Sequence, residues 1–274
     1  DLPDEARVHP NLRNLARYEL RARRDLLHEG GARRTRIMGR DGDFERLRDF
    51  VPGDDIRHVD WKATARLQRP VTRVYQAERA QNLILLVDAT RLMAARAAGL
   101  AKLDYAVNAA LMLSFVALTR GDRVGVAVFD HGIRAYLGPQ SGPAQFGRIL
   151  DLLFDQQPVR RFPRYREAAR AVVQHNRRRS LVVWLTDLLD GEQGRELLGA
   201  LRALRRRHLS LVVAMDDPDV HALAATYPKD SGALYTAAAA SEILDDRSAL
   251  VRRLLAEGAH VVDRRPEEIT AALV

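Results

Sequence analysis

Residues 83–87 form an unbroken apolar run, Leu-Ile-Leu-Leu-Val, that ends abruptly at Asp88. Such a run suits a strand buried on both faces of a parallel sheet. Downstream the pattern switches between two periods. A helical face through Leu103, Val107, Ala110, Leu111, Ser114 and Leu118 predicts a helix over 101–120, stopped by Gly121. Apolar stretches at 124–129 and 133–137 flank Asp130-His131-Gly132 and predict a hairpin. Helices are expected at 143–156 and 164–177, a strand at 181–185 ending in Thr186-Asp187, and a helix at 192–207. A strand at 209–215 ending in Asp216-Asp217-Pro218, a helix at 241–257, a strand at 260–262 and a helix at 267–273 complete the series. One helix per strand with a single hairpin predicts an α/β fold, a doubly wound and mostly parallel sheet with one antiparallel edge strand.

Ahead of this region the pattern changes. Residues 1–35 carry a loose leucine stripe among many arginines and read as a basic helical segment ended by Gly30-Gly31. Residues 36–80 alternate charges of both signs with Phe44, Leu47, Phe50, Ile56, Val59 and Trp61, around a Pro52-Gly53 turn. A strand is expected at 70–78. Three parts follow: 1–35, a small N-terminal subdomain at 36–80, and the α/β domain at 81–274.

Composition narrows the chemistry. With no cysteine, disulfides and thiolate metal sites are excluded. The net charge of +8 is almost all arginine, the only lysines being Lys62, Lys102 and Lys229. Arginine clusters at 160–161, 177–179, 205–207, 252–253 and 264–265 would suit nucleic acid or an anionic membrane. Without aromatic residues between them they fit solvated helix ends better, which makes nucleic acid an unfavoured partner. No span reaches the ~20 apolar residues of a membrane helix. A cytoplasmic location is expected, with any membrane association supplied by residues preceding Asp1.

Two stretches carry a family resemblance. The Asp88-x-Thr90-x-Leu92 loop resembles the metal-site loop of von Willebrand factor A domains, Asp-x-Ser-x-Ser, with its last hydroxyl lost. The stretch 44–66 holds Phe44, Leu47, Arg48, Pro52, Gly53, Asp54, Asp55, Arg57, Asp60, Trp61, Lys62, Ala65 and Arg66 in order. That pattern resembles the signature of the bacterial domain-of-unknown-function family fifty-eight, which places a von Willebrand A-like domain directly after it. The resemblance implies a partnership with MoxR-type AAA+ ATPases in complex assembly or envelope function.

It also implies a degenerate metal site of Asp88, Thr90 and Asp187, two carboxylates and one hydroxyl that would hold a partly hydrated Mg²⁺ weakly. In the expected second loop, Tyr165 offers the only hydroxyl. The competing arrangement has the Arg91 guanidinium neutralising Asp88 or Asp187. In the signature, Asp54, Asp55, Arg57, Asp60 and Trp61 are either a recognition surface, with Arg91, or a structural lattice around a buried Trp61. No zincin pair, nucleophile elbow, cysteine nucleophile or P-loop occurs, and His58 stands alone among acids. The expected function is a non-enzymatic interaction module docking through the crevice. Arginine-driven binding is the alternative, and a metal-dependent hydrolase the weaker one.

Overall fold

The computed structural model describes residues 44–51, 54, 56–75, 80–97, 99–188 and 191–273. The expected helical segment at 1–35 lies outside the described residues, as do Pro52, Gly53 and Asp55. The chain divides into two units, with the boundary between Gln81 and Asn82.

The smaller unit is built on an antiparallel pair, β1 (Phe44–Asp49) and β2 (Val71–Tyr75), with helix α1 (Trp61–Leu67) between them. Asp60 caps α1, its carboxylate accepting from the Ala63 amide at 2.9 Å, and Gln68 ends it in a left-handed conformation at φ 52°. Asp54 accepts both Arg48 guanidinium nitrogens, at 2.6 and 2.8 Å. The alternative of a buried Trp61 is corrected here: its side chain is 66% exposed, while Ala63 faces inward. Residues two apart on a helix point about 200° from one another, so burying Ala63 turns Trp61 outward.

The larger unit carries a six-stranded sheet. Its elements are β3 (Asn82–Asp88), α2 (Lys102–Thr119), β4 (Arg123–Phe129), β5 (Ile133–Gln140), α3 (Pro143–Phe154), α4 (Tyr165–His175), β6 (Leu181–Thr186), α5 (Glu192–Leu204), β7 (Leu209–Met215), α6 (Pro218–Ala225), α7 (Ser231–Ala256), β8 (His260–Arg264) and α8 (Pro266–Leu273). The strand order is β8-β7-β6-β3-β4-β5, all pairs parallel except β4-β5. This is the expected doubly wound α/β sheet with one antiparallel edge.

Alternation along the strands sorts the core into two layers. Leu83, Leu85 and Val87 of β3 join α2, α3 and α8 on one face, while Ile84 and Leu86 join α4, α5 and α7 on the other. Two elements differ from expectation. Helix α6, capped by Asp217 and opened by Pro218, is not among the expected elements. Helix α7 begins ten residues earlier than expected, at Ser231. Its first half buries only Ala240, so no apolar stripe marks it, and alanine propensity with the Asp230 cap forms the helix instead.

Because the sheet winds both ways from β3, a switch point falls between the carboxyl ends of β3 and β6. At the far edge, Gly125 of β4 faces the irregular part of β5. A Cβ there would lie 2.9 Å from the Leu137 carbonyl oxygen and the Pro139 nitrogen. Gly125→Ala is therefore expected to lower stability by about 1–3 kcal/mol, since backbone atoms cannot step aside cheaply. Gly147→Ala, on α3 with nothing near the added methyl, should instead raise stability by roughly 0.5–1 kcal/mol. Thermal melting of the two variants tests the contrast.

Candidate functional site

Asp88 and Asp187 end neighbouring parallel strands, and the structure brings them together through the residue between them in space, Thr186. The Thr186 hydroxyl donates to Asp88 Oδ2 at 2.6 Å and lies 2.9 Å from the Tyr165 hydroxyl. Asp88 Oδ1 accepts the Thr90 amide at 2.9 Å, an Asx turn that bends the loop after β3. Asp88, Thr90 and Thr186 are all fully buried. Burial, the largest influence, pushes the Asp88 carboxyl up from 3.8 to about 6, against the pull of its hydrogen bonds from Thr186 and Thr90. Tyr165 is held in place by its ring, which packs on Phe129 and Trp184 with centroids 5.8 and 5.9 Å away. Burial raises its phenol well above 10, with Asp88 adding to the shift, so the hydroxyl stays protonated.

Asp187 is bound differently. Its Oδ2 accepts Lys102 Nζ at 2.8 Å, and its Oδ1 accepts both the Leu188 amide at 2.7 Å and Arg247 Nη1 at 2.8 Å. Lys102, in the first turn of α2 and 3% exposed, also lies 3.1 Å from Asp217 Oδ2. Arg247, from the middle of α7, forks onto Asp263 of β8 at 2.7 and 3.3 Å and lies 3.9 Å from Asp216. Burial alone would lower the Arg247 pKa, but Asp263 and Asp187 together raise it, so the guanidinium stays charged. Asp216 is paired with His221 at 2.8 Å.

Outside this network opens a cavity of about 250 Å³. Asp187, Asp216, Asp217, Lys102 and Arg247 form its polar side, and Leu92, Val220, Ile243 and Leu244 its apolar wall. Leu92, where the resemblance would place a hydroxyl, is part of that wall.

The expectation for Arg91 is corrected. Its guanidinium carbon sits 4.1 Å from the Phe162 ring centroid, and Lys102 and Arg247 neutralise Asp187 in its place. The cause is local: the Arg91 amide bonds to the Arg161 carbonyl, which steers the exposed side chain over the 157–164 loop. Arg91 remains at the cavity rim. In the smaller unit, Asp54 and Asp60 serve the fold through the Arg48 pair and the α1 cap, while Arg57 and Trp61 are exposed.

The donors do not suit magnesium, which asks for near-octahedral oxygen ligands that are free to bind it. Both Asp88 oxygens and both Asp187 oxygens are already acceptors, two fixed cations on Asp187 supply the charge a metal ion would bring, and of the three expected ligands only the buried Thr90 hydroxyl is without a hydrogen-bond partner. Among the described residues, no three Asp, Glu, His or Cys side chains are grouped to hold a metal.

Sequence reading placed Asp88, Thr90 and Asp187 in this region but missed Lys102 and Arg247 as their partners. Lys102 carried a signal: it is one of only three lysines in an arginine-rich chain, at the start of an apolar helix. Arg247, one of many arginines on a long helix, carried none.

A doubly wound sheet with an acid-bearing loop at its switch point is the architecture that the resemblance to von Willebrand A domains implies. The family described as "Protein of unknown function DUF58" matches residues 46–234, and the chain belongs to that family. It is similar to "Uncharacterized protein Rv1480" of Mycobacterium tuberculosis (strain ATCC 25618 / H37Rv), 28% identical over 171 residues, 62% of this chain and 53% of that protein. The same figures hold for "Uncharacterized protein Mb1516" of Mycobacterium bovis. The chain thus spans about half the length of these curated relatives. Among solved structures it is similar to the SpRpn10 VWA domain, with a TM-score of 0.41 and 10% identity over 71% of this chain and 93% of that one. It is also similar to an aerotolerance-related membrane protein from Bacteroides fragilis NCTC 9343, with a TM-score of 0.46 and 13% identity over 71% and 95%.

Two measurements probe the site. The native Asp88 carboxyl titrates near 6 and the unfolded one near 3.8, so from about pH 4 to 6 the native state keeps a proton that the unfolded chain has released. The stability it contributes is complete below about pH 4 and is lost as the pH rises toward 6. Asp88→Asn keeps hydrogen-bonding groups in place without a charge. It is expected to raise stability by about 1–3 kcal/mol at neutral pH and to flatten the pH dependence in that window, read by thermal melting across pH. Millimolar Mg²⁺ is expected to leave the wild-type melting temperature unchanged; a rise would show the ion competing with Lys102 for the carboxylates.

Proposed function

We propose that this domain is a non-catalytic interaction module that docks a protein partner at the carboxyl-end cavity, on the cytoplasmic side, and that the partner is a MoxR-type AAA+ ATPase. One observation carries the reading: an open cavity at the switch point whose polar groups are locked in place before any partner arrives. Groups fixed by buried ion pairs lose little freedom on binding, so a small contact gains affinity from preorganisation. The ATPase assignment rests on the family resemblance.

The docking chemistry proposed here differs from that of a metal crevice. Asp88 and Thr90 are sealed from a partner, leaving Asp187, Asp216 and Asp217 as the reachable polar edge. The cavity is lined by three carboxylates, Asp187, Asp216 and Asp217, and three cations, Arg91, Lys102 and Arg247. Fixed charges of both signs beside an apolar wall favour a partner segment that sets an apolar side chain against Ile243 and Leu244 and polar groups along the charged edge.

Ile243 tests the docking face because it forms the apolar wall yet is 46% exposed, so the fold does not depend on it. Ile243→Lys should weaken binding of a purified MoxR-type ATPase at least ten-fold by calorimetry while leaving the melting temperature unchanged. Equal affinity for the variant and the wild type would reject this surface.

A further inference from the structure

In a parallel sheet, the connections that lead from helix to strand lie at the end opposite the crevice. Here those connections gather three of the five arginine clusters of the sequence. Arg120 and Arg123 flank the α2–β4 turn, Arg177–Arg179 precede β6, Arg205–Arg207 precede β7, and Arg252 and Arg253 close α7. The carboxylates in the same four turns are Asp122 and Glu257, and Glu257 is taken by Arg202 and Arg205. Arg177, Arg179, Arg206, Arg207 and Arg252 are exposed and pair with no carboxylate among the described residues.

Two further features mark this end. Leu209 and Leu255 are 46% and 52% exposed beside the arginines. A second cavity, of about 360 Å³, opens between the last turns of α5 and α7, lined by Arg205, Arg206, His208, Leu209, Ser210 and Glu257. His208 and Ser210 are 2% and 7% exposed, yet neither imidazole nitrogen nor the Ser210 hydroxyl has a hydrogen-bond partner. Buried polar atoms are seldom left so, unless water or a ligand completes them.

We propose that this end of the domain binds an anionic membrane surface. The arginines meet lipid phosphates, Leu209 and Leu255 enter the headgroup layer, and the cavity receives one phosphate-bearing headgroup on His208 and Ser210. Exposed leucines set among arginines are the composition of an interfacial membrane contact. A nucleic-acid face would instead offer stacking rings, and the four turns carry no Phe, Tyr or Trp.

Vesicle flotation with the full chain tests the proposal. The protein should float with phosphatidylcholine–phosphatidylglycerol vesicles, not with phosphatidylcholine alone, and release as salt rises. Arg206→Glu, Arg207→Glu and Arg252→Glu should each lower the partition coefficient at least about five-fold, judged from the attraction of one arginine to an anionic surface. Leu209→Ser with Leu255→Ser should weaken flotation but leave duplex-DNA binding unchanged. Equal flotation with neutral vesicles, undiminished binding by the charge reversals, or leucine variants that float normally would overturn the membrane assignment. The last result, with DNA bound tightly, would mark a general polyanion face. The His208 imidazole resonance should move with a short-chain anionic phospholipid and not with its zwitterionic counterpart; an unmoved signal means that the cavity holds water only and rejects the headgroup site.

Discussion

Asp187 accepts at once from an ammonium, a guanidinium and a backbone amide, and each comes from a different element. A charge withdrawn from water needs such partners, because an isolated buried carboxylate is among the costliest groups a fold can hold. Meeting that need ties the sheet together. Lys102 anchors the start of α2 in one helical layer, and Arg247 holds the middle of α7 in the other. Asp263 brings in β8, while Asp217 joins the Lys102 pair and caps α6 with its other oxygen. The end of the sheet is fixed by ion pairs as much as by apolar packing. Removing either cation would leave Asp187 with one counter-charge in place of two and take the partner from Asp217 or Asp263.

Asp88 meets the same constraint in another way. With no cation beside it, it relies on hydroxyl and amide donors and shifts toward its neutral form. Two acids on adjacent strands thus differ in chemistry through their neighbours alone. Tyr165, Thr186 and Asp88 form a relay of hydrogen bonds whose outer member is locked by the aromatic triangle of Phe129, Tyr165 and Trp184.

The strands of the larger unit were legible because β3, β6 and β7 are apolar runs bounded by acids, a pattern that follows from burial on both faces. Helices α2 and α5 were legible because each has one apolar face on the sheet. The first half of α7 was not, since a helix that buries almost nothing has no stripe to read, and α6 was passed over despite its Asp-Pro start. At the site, Asp88, Thr90 and Asp187 were visible as loop residues after apolar runs. Their partners were not, because Lys102 and Arg247 lie 85 and 60 residues from Asp187 along the chain. Local pattern says where an acid sits; only the winding of the sheet says which cation reaches it.

Helix α7 has 26 residues, about 39 Å at 1.5 Å per residue. Ile243, Leu244 and Arg247 line the crevice, and Arg252 and Arg253 stand at the opposite rim of the molecule. The ends of the sheet are therefore joined by a single stiff strut, pinned near its centre by Arg247 and seated on the sheet by Leu250 and Leu254. One continuous helix thus links the crevice to the arginine-bearing end, and a break between Arg247 and Leu250 would sever that link.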